Sequence, residues 1–458
     1  MAKDKATYRC TECGWTSPKW VGQCRECRAW GTLEELGASP TGVPAATRPR
    51  RPAVPIVEVD SRTAHSRPTG VGELDRVLGG GIVPGAVVLL AGEPGVGKST
   101  LLLDVAARAA RSARESHRPG PVLYVTGEES SAQIKGRAER IGAVDESLLL
   151  ADDNDLGTIL GHVEETSPSL LVVDSVQTIQ SSRVEGGAGG VAQVRAVAAG
   201  LIRVAKERDL PVLLVGHVTK DGGIAGPRVL EHLVDVVCQF EGDRHSRLRL
   251  LRAVKNRYGP TDEVGCFELT DNGIRGLPDP SGLFLSRTSS DVPGSCVTVS
   301  LEGRRPMPTE VQALVAASPG GGSPRRTTSG VDHSRTAMVL AVLQARLGRD
   351  TSALDVYVST VGGARAVEPA VDLASAIAVV SATSGTPARS GLVAIGEVGL
   401  TGELRSCVGV QRRLQEAARL GFTVALVPEQ GLEDLHKIEG MYVRPVSDLA
   451  TALEFALP

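Results

Sequence analysis

Aromatic side chains are scarce in this 458-residue chain, where three Trp, five Tyr and five Phe make up 3% of the total. Val, Leu, Ile and Ala must therefore do most of the packing. No apolar run of about 18 residues occurs, so no membrane-spanning helix is expected. Excess charge of one sign is missing as well. The formal net charge of −3 argues against a histone-like polycation, but nucleic-acid binding depends on local basic patches and is left open. The first residues, MAKDKATYRC, lack the apolar stretch of a secretory signal. Cysteine is thin beyond residue 27: Cys238, Cys266, Cys296 and Cys407 lie scattered through apolar segments, the pattern of buried thiols in a reducing compartment. The expectation is a cytoplasmic protein of about two to four domains.

The remaining cysteines are grouped. Cys10-x-x-Cys13 and Cys24-x-x-Cys27 are two pairs separated by ten residues. Each pair can form a knuckle presenting two thiolates, and two knuckles complete the tetrahedral shell that structural Zn2+ prefers. Four thiolates leave no open position, so this metal would fold the unit and not catalyse. Gly14 and Gly22 supply turns, and Trp15, Trp20 and Trp30 give so small a unit something to pack on. Residues 1–36 are predicted to form this ribbon, and 37–55, rich in Pro, Ala, Thr and Arg, a linker. Residues 1–51 carry nine Lys or Arg against five Asp or Glu.

From about 56 to 275, apolar runs alternate with helical patterns. Strands are predicted over 86–92, 122–127, 170–175 and 212–217, and helices over 99–113, 131–141 and 191–208. Continuous apolar strands between helices indicate a parallel sheet covered on both faces. Gly92-Glu93-Pro94-Gly95-Val96-Gly97-Lys98-Ser99 follows the first strand and opens the first helix, the context of a P-loop for ATP. Its glycines let backbone N–H groups face the phosphates, Lys98 reaches the β- and γ-phosphates, and Ser99 ligates Mg2+. Thr100 follows at the helix start, whose dipole also favours an anion. Asp174 ends an apolar strand and reads as the carboxylate holding the Mg2+ shell; the alternative is a helix cap. Glu128 and Glu129 end the neighbouring strand. One of them can orient or deprotonate the attacking water, and Glu128 is the choice, with Glu129 the alternative. His217 ends the fourth strand, either as a sensor of the γ-phosphate or as a structural histidine.

Taken together, the CxxC pairs, GEPGVGKST, TGEES (126–130), GPRVLEHLVD (226–235) and Lys255-Asn256-Arg257-Tyr258-Gly259 resemble the bacterial RadA/Sms family, over nearly the whole chain. Family members commonly have Phe at the position of Tyr258. The resemblance implies a multidomain α/β protein: a small four-cysteine zinc ribbon, a RecA-like P-loop ATPase core over 56–275 and a Lon-protease-like α/β domain over 276–458. It further implies a ring, most often a homo-hexamer, that moves on single-stranded or branched DNA during branch migration, with a recombinase as partner. Lys255 and Arg257, two apart on an extended strand, share one face. They suit a phosphate clamp, including one supplied to a neighbour's ATP, or else form a solvated basic strand end. DNA contacts are expected from 181–195 and 219–228, loops that follow strand ends. There Arg183, Arg195, Lys220 and Arg228 could neutralise phosphates, with no aromatic residue for base stacking.

Beyond 276, the segments 297–315, 354–363, 368–382 and 396–422 resemble the Lon peptidase fold, which makes the Gly/Ser/Arg-rich 318–330 a flexible internal loop. The Ser nucleophile position falls on Ala370 and the Lys position on Gln411, so both halves of the peptidase dyad are missing. An ATP-dependent protease is thereby disfavoured. A RecA-like regulatory ATPase that does not act on DNA is the other rival, and DNA-stimulated ATP hydrolysis separates the two.

Overall fold

Strands apolar on both faces need cover on both, and the main sheet is built that way. A computed structural model describes residues 7–36, 53–58, 65–115, 120–217, 228–242, 247–286, 292–318 and 323–458. The chain divides into two compact units, Met1–Ser61 and Arg62–Pro458. Among the described residues, no helix is long and apolar enough to cross a membrane.

In the larger unit a nine-stranded sheet has Val87–Gly92 near its middle. Val236–Glu241 flanks that strand on one side; Val212–His217, Leu170–Asp174, Val122–Thr126 and Leu148–Ala151 follow on the other, all parallel. The order Val87–Gly92, Val212–His217, Leu170–Asp174, Val122–Thr126 is not the chain order, because each crossover helix carries the chain to a different neighbour. Alternate residues serve opposite faces. Val88, Leu90 and Tyr124 pack with the helix Lys98–Glu115, while Val87, Leu89 and Val125 pack with the helix Val191–Arg208. The predicted strands and helices of this region all form, with ends shifted by two residues at most. An antiparallel extension, Leu248–Asn256, Val264–Thr270 and Gly273–Gly276, completes the sheet.

A second, seven-stranded mixed sheet follows. Its centre is the antiparallel pair Ser295–Glu302 and Arg305–Ala317, covered by the apolar helix Asp372–Ser384. The flexible loop expected over 318–330 needs correction. Residues 319–322 lie outside the described residues, but Arg326–Ser329 is a strand parallel to Leu354–Thr360 at the sheet edge. Arg325 N donates to Asp355 Oδ1 at 2.7 Å, and the Arg326 guanidinium donates to the Thr351 carbonyl at 2.7 Å. Composition reads that stretch as loop because the partner that orders it lies some thirty residues further on.

The two sheets of this unit are joined by a buried ion pair. Glu73, on the helix Gly72–Leu78, accepts from the Arg305 guanidinium and from Cys266 N at 2.8 Å. Arg305 also donates to the carbonyls of Val264, Leu277 and Pro278. Both side chains are almost fully buried. Removing one partner leaves an uncompensated buried charge, so Glu73→Ala is expected to destabilise this unit by about 3–5 kcal/mol. Urea unfolding of the variant with an unchanged midpoint would contradict that.

The smaller unit is a three-stranded ribbon of Thr16–Ser17, Thr7–Cys10 and Leu33–Leu36. Of the three tryptophans, Trp15 packs into it, beside Cys10, Cys24 and Leu33. Trp20 and Trp30 were expected to pack there too and do not: they are 59% and 75% exposed. The buried interior is Cys10, Cys24 and Leu33, and Tyr8, Trp15 and Val21 pack against it, while Cys13 and Cys27 are exposed. Of the expected linker, only 53–55 lies within the described residues.

Candidate functional site

The P-loop bends where its glycines allow it. Gly95 and Gly97 adopt φ of 78° and 110°, and a Cβ on Gly92 would lie 2.5 Å from the Phe240 carbonyl oxygen. Glu93, Pro94 and Gly95 form the exposed crest, with Val96 buried beneath. Lys98 is buried, and its Nζ donates to the carbonyls of Gly92 at 2.9 Å and Glu93 at 2.8 Å. Burial lowers its pKa to about 8, against the pull of the nearby Asp174 and Glu128 carboxylates. Ser99 and Thr100 are half-buried in the first turn of the helix that Lys98 begins, where backbone N–H groups have no partner within the helix. A cradle closed around a folded-in lysine, open N–H groups and a carboxylate opposite are the donor set that a nucleotide triphosphate with Mg2+ requires.

Asp174 is buried at its strand end and accepts from the Tyr124 hydroxyl at 2.7 Å. The next α-helix begins only at Val191, so there is none directly behind Asp174 to cap. Burial and the Asp174 carboxylate push the Tyr124 phenol far above its ordinary range, so it stays a hydrogen-bond donor.

The two neighbouring glutamates part company. Glu128 accepts from the Ser175 hydroxyl at 2.7 Å, and His217 Nε2 lies 3.3 Å from the same oxygen, within ion-pair reach but off the line of a directed hydrogen bond. The His217 imidazole, the Ser175 hydroxyl and the Lys98 ammonium together hold the Glu128 carboxyl down at about 2 despite partial burial. Glu129 instead pairs with Arg137 on the helix Ser131–Ile141, whose start is fixed by a capping box between Ser130 and Gln133. Gly127, just before them, lies where a side chain would not fit, since a Cβ there would be 2.5 Å from Thr178 Oγ1.

Lys255 and Arg257 do not lie free at a strand end. The strand Leu248–Asn256 slips register between Ala253 and Lys255, and both cations turn onto residues 231–235. Lys255 Nζ donates to the carbonyls of Glu231 at 2.8 Å and Val234 at 2.9 Å. Arg257 donates to Asp235 Oδ1 at 3.1 Å, while Lys206 Nζ and Val87 N donate to Oδ2. Burial raises the Asp235 pKa, but Lys206, the Val87 N–H and Arg257 outweigh it and hold the carboxyl below its ordinary value. Arg257 thus sits at the start of the P-loop strand, five residues from Gly92, or about 17 Å at the usual rise of a strand.

Of the expected DNA-contacting loops, 181–195 is described and 219–227 lies outside the described residues, Lys220 with it, as does the Arg228 side chain. Arg183 and Arg195 are exposed. Sequence reasoning missed Gln193, whose buried side chain accepts from Ser181 N and donates to the carbonyls of Ser181, Val184 and Gly186, tying the loop to its helix. Tyr124, Ser175 and Asp235 were missed as well. A lone hydroxyl or carboxylate beside a strand end has no local pattern to mark it.

In the second sheet's domain, Ala370 is buried and Gln411 Oε1 accepts from His436 N at 2.8 Å. The nearby Arg413 is buried in a bidentate pair with Glu368. A methyl group and an occupied amide supply no Ser–Lys chemistry.

In the ribbon, Cys10 Sγ lies 3.6 Å from Cys27 Sγ, as does Cys13 Sγ from Cys24 Sγ, and all four sulfurs fall within 4.8 Å of one another. Zinc–sulfur bonds of about 2.3 Å in a tetrahedron set sulfurs about 3.8 Å apart, so the group fits one Zn2+. Thr32 Oγ1, 3.2 Å from Cys10 Sγ, is placed to donate to it. Cys24→Ser is expected to lower zinc content and unfold the ribbon alone, since metal binding supplies its folding energy. One full zinc equivalent in that variant would argue against the site.

Family models match all three regions: an AAA domain over residues 53–223, a rubredoxin metal binding domain over 8–35 and the subunit ChlI of Mg-chelatase over 360–431. The chain is 52% identical over 461 residues to the DNA repair protein RadA of Mycobacterium tuberculosis, covering 99% of this chain and 94% of that one. It is 42% identical over 464 residues to the DNA repair protein RadA of Bacillus subtilis, covering 100% of both. The chain belongs to the RadA family. The RadA likeness runs the whole length, whereas the AAA match takes in the P-loop, Glu128 and Asp174 and ends before Lys255 and Arg257.

Proposed function

We propose that this RadA chain is an ATP-hydrolysing DNA repair and recombination protein that works as a ring-shaped motor, a homo-hexamer moving on single-stranded or branched DNA in branch migration alongside a recombinase. The observation that carries the ATPase part is Lys98 gathered with Asp174 and Glu128 at the ends of parallel strands. In this reading Gly92 to Thr100 hold ATP, Ser99 and Asp174 hold Mg2+, and Glu128 prepares the attacking water. Arg257, with Lys255 behind it, completes a neighbour's site. The division into a ribbon (1–36), linker (37–55), ATPase (56–275) and Lon-like domain (276–458) is part of the proposal, with the last as scaffold or added DNA surface. Helicase activity follows if hydrolysis drives translocation.

ATP turnover with and without single-stranded DNA across a salt series tests it. DNA is expected to stimulate hydrolysis, and binding to weaken steeply with salt, because backbone phosphates are the targets. Lys98→Ala should abolish turnover in a folded chain. Turnover indifferent to DNA would favour the regulatory ATPase, and a flat salt response would remove the basic loops as the contact.

A further inference from the structure

We infer that the zinc ribbon carries a stacking surface for the bases of single-stranded nucleic acid, formed by Trp20 and Trp30. The inference rests on the DNA-acting reading above and assigns that reading a second contact, of a different chemistry from the phosphate contacts.

All three tryptophans of the chain lie in its first 30 residues. Trp15 serves the ribbon's core, but Trp20 and Trp30 are left largely in water. Exposing so much apolar surface works against the stability of a small unit, so packing does not account for them. They are not scattered. A Cβ built on Gly22 would lie 3.7 Å from Trp30 Cζ3 and 3.8 Å from Trp20 Cη2, so both rings border the same glycine. Gly31 N donates to the Gly22 carbonyl at 2.9 Å, and Gln23 bridges to Trp30, which fixes the two segments side by side. Among the described residues the paired rings are Phe240 with Phe267 and Tyr442 with Phe455, so the indole faces are not used on each other.

The charge around them selects the occupant. The ribbon as a whole balances Arg9, Lys19, Arg25 and Arg28 against Glu12, Glu26, Glu34 and Glu35, but residues 18–31, which carry both rings, hold exposed Lys19, Arg25 and Arg28 against Glu26 alone. Flat aromatic faces with cations close by in the chain are the combination that binds single strands without reading sequence, bases on the rings and phosphates on the cations. The 181–195 loop has cations but no aromatic residue, so it cannot supply this contact.

Because every tryptophan is in the ribbon, indole emission of the full chain reports on this unit alone. Oligothymidylate carrying a fluorescein label is the probe, with its anisotropy giving binding independently. Emission is expected to be quenched in step with binding, and an oligomer of abasic sites with the same number of phosphates to leave it unchanged. Trp20→Ala/Trp30→Ala, checked for zinc, should bind about 5- to 150-fold more weakly for each stacked base lost, while Trp20→Phe/Trp30→Phe retains affinity. If the alanine variant loses zinc, the contrast between bases and abasic sites on the unaltered chain decides alone. Binding by anisotropy with unchanged emission, or equal quenching by abasic sites, would overturn the stacking surface and leave the DNA reading intact. Emission that responds to a partner protein and not to the bound oligonucleotide would make the face a protein-docking site. No anisotropy change at all would overturn both readings.

Discussion

Arg257→Ala subunits are expected to bind ATP as the unaltered chain does and to hydrolyse it about 10³–10⁵ times more slowly, the loss typical of an arginine finger. Within its own subunit Arg257 is anchored to Asp235, which also holds Val87 N at the start of the P-loop strand. That end of the strand is remote from Gly92, so the guanidinium cannot reach its own γ-phosphate. Action on ATP would therefore have to be in trans. Leaving Asp235 is feasible because Lys206 stays behind as its counter-charge, and the Arg257 side chain is already half-exposed. Mixing Arg257→Ala with Lys98→Ala subunits should restore partial turnover, since some interfaces then join an intact P-loop to an intact Arg257. The measurement is ATP turnover across mixing ratios at constant total protein, with DNA present. Activity that stays at the level of the inactive parents, despite proven co-assembly, would assign Arg257 a structural or DNA-contacting role.

Glu128→Gln carries the second large effect. Loss of the carboxylate that orients or deprotonates the attacking water is expected to slow the chemical step by about 10²–10⁴-fold, with ATP still bound because Lys98 and the loop are untouched. Glu129→Gln is expected to change turnover only slightly, since its carboxylate is engaged with Arg137. The pH profile adds a check. With its folded pKa lowered to about 2, Glu128 remains charged well below neutrality, so no loss of activity between pH 7 and pH 5 should trace to its protonation. The sign for stability follows: the interactions that depress this pKa contribute above the ordinary carboxylate range and are lost as pH falls toward 2. Equal loss in both glutamate variants would show that the pair acts as a unit or that the base lies elsewhere.

Chemistry written in neighbouring residues is legible in the linear chain. The two CxxC knuckles, the P-loop between strand and helix, and the alternation of apolar strands with amphipathic helices all depend on spacings of a few residues, which the sequence displays directly. Those same spacings mislead where composition stands in for contact: the Gly/Ser/Arg stretch hides the strand Arg326–Ser329, and two of three tryptophans counted as core lie in water. What only the tertiary structure decided is which partners meet. Alternation along the strand already sends Glu128 and Glu129 different ways, but only the structure shows that Glu128 meets Ser175, 47 residues on, and Glu129 meets Arg137. Asp235 gathers Lys206, Arg257 and Val87 N, and Glu73 reaches Arg305 across 232 residues. Local periodicity determines which elements form, but sheet order and strand register determine which side chains share a buried site, and those are set by long-range packing of the whole unit.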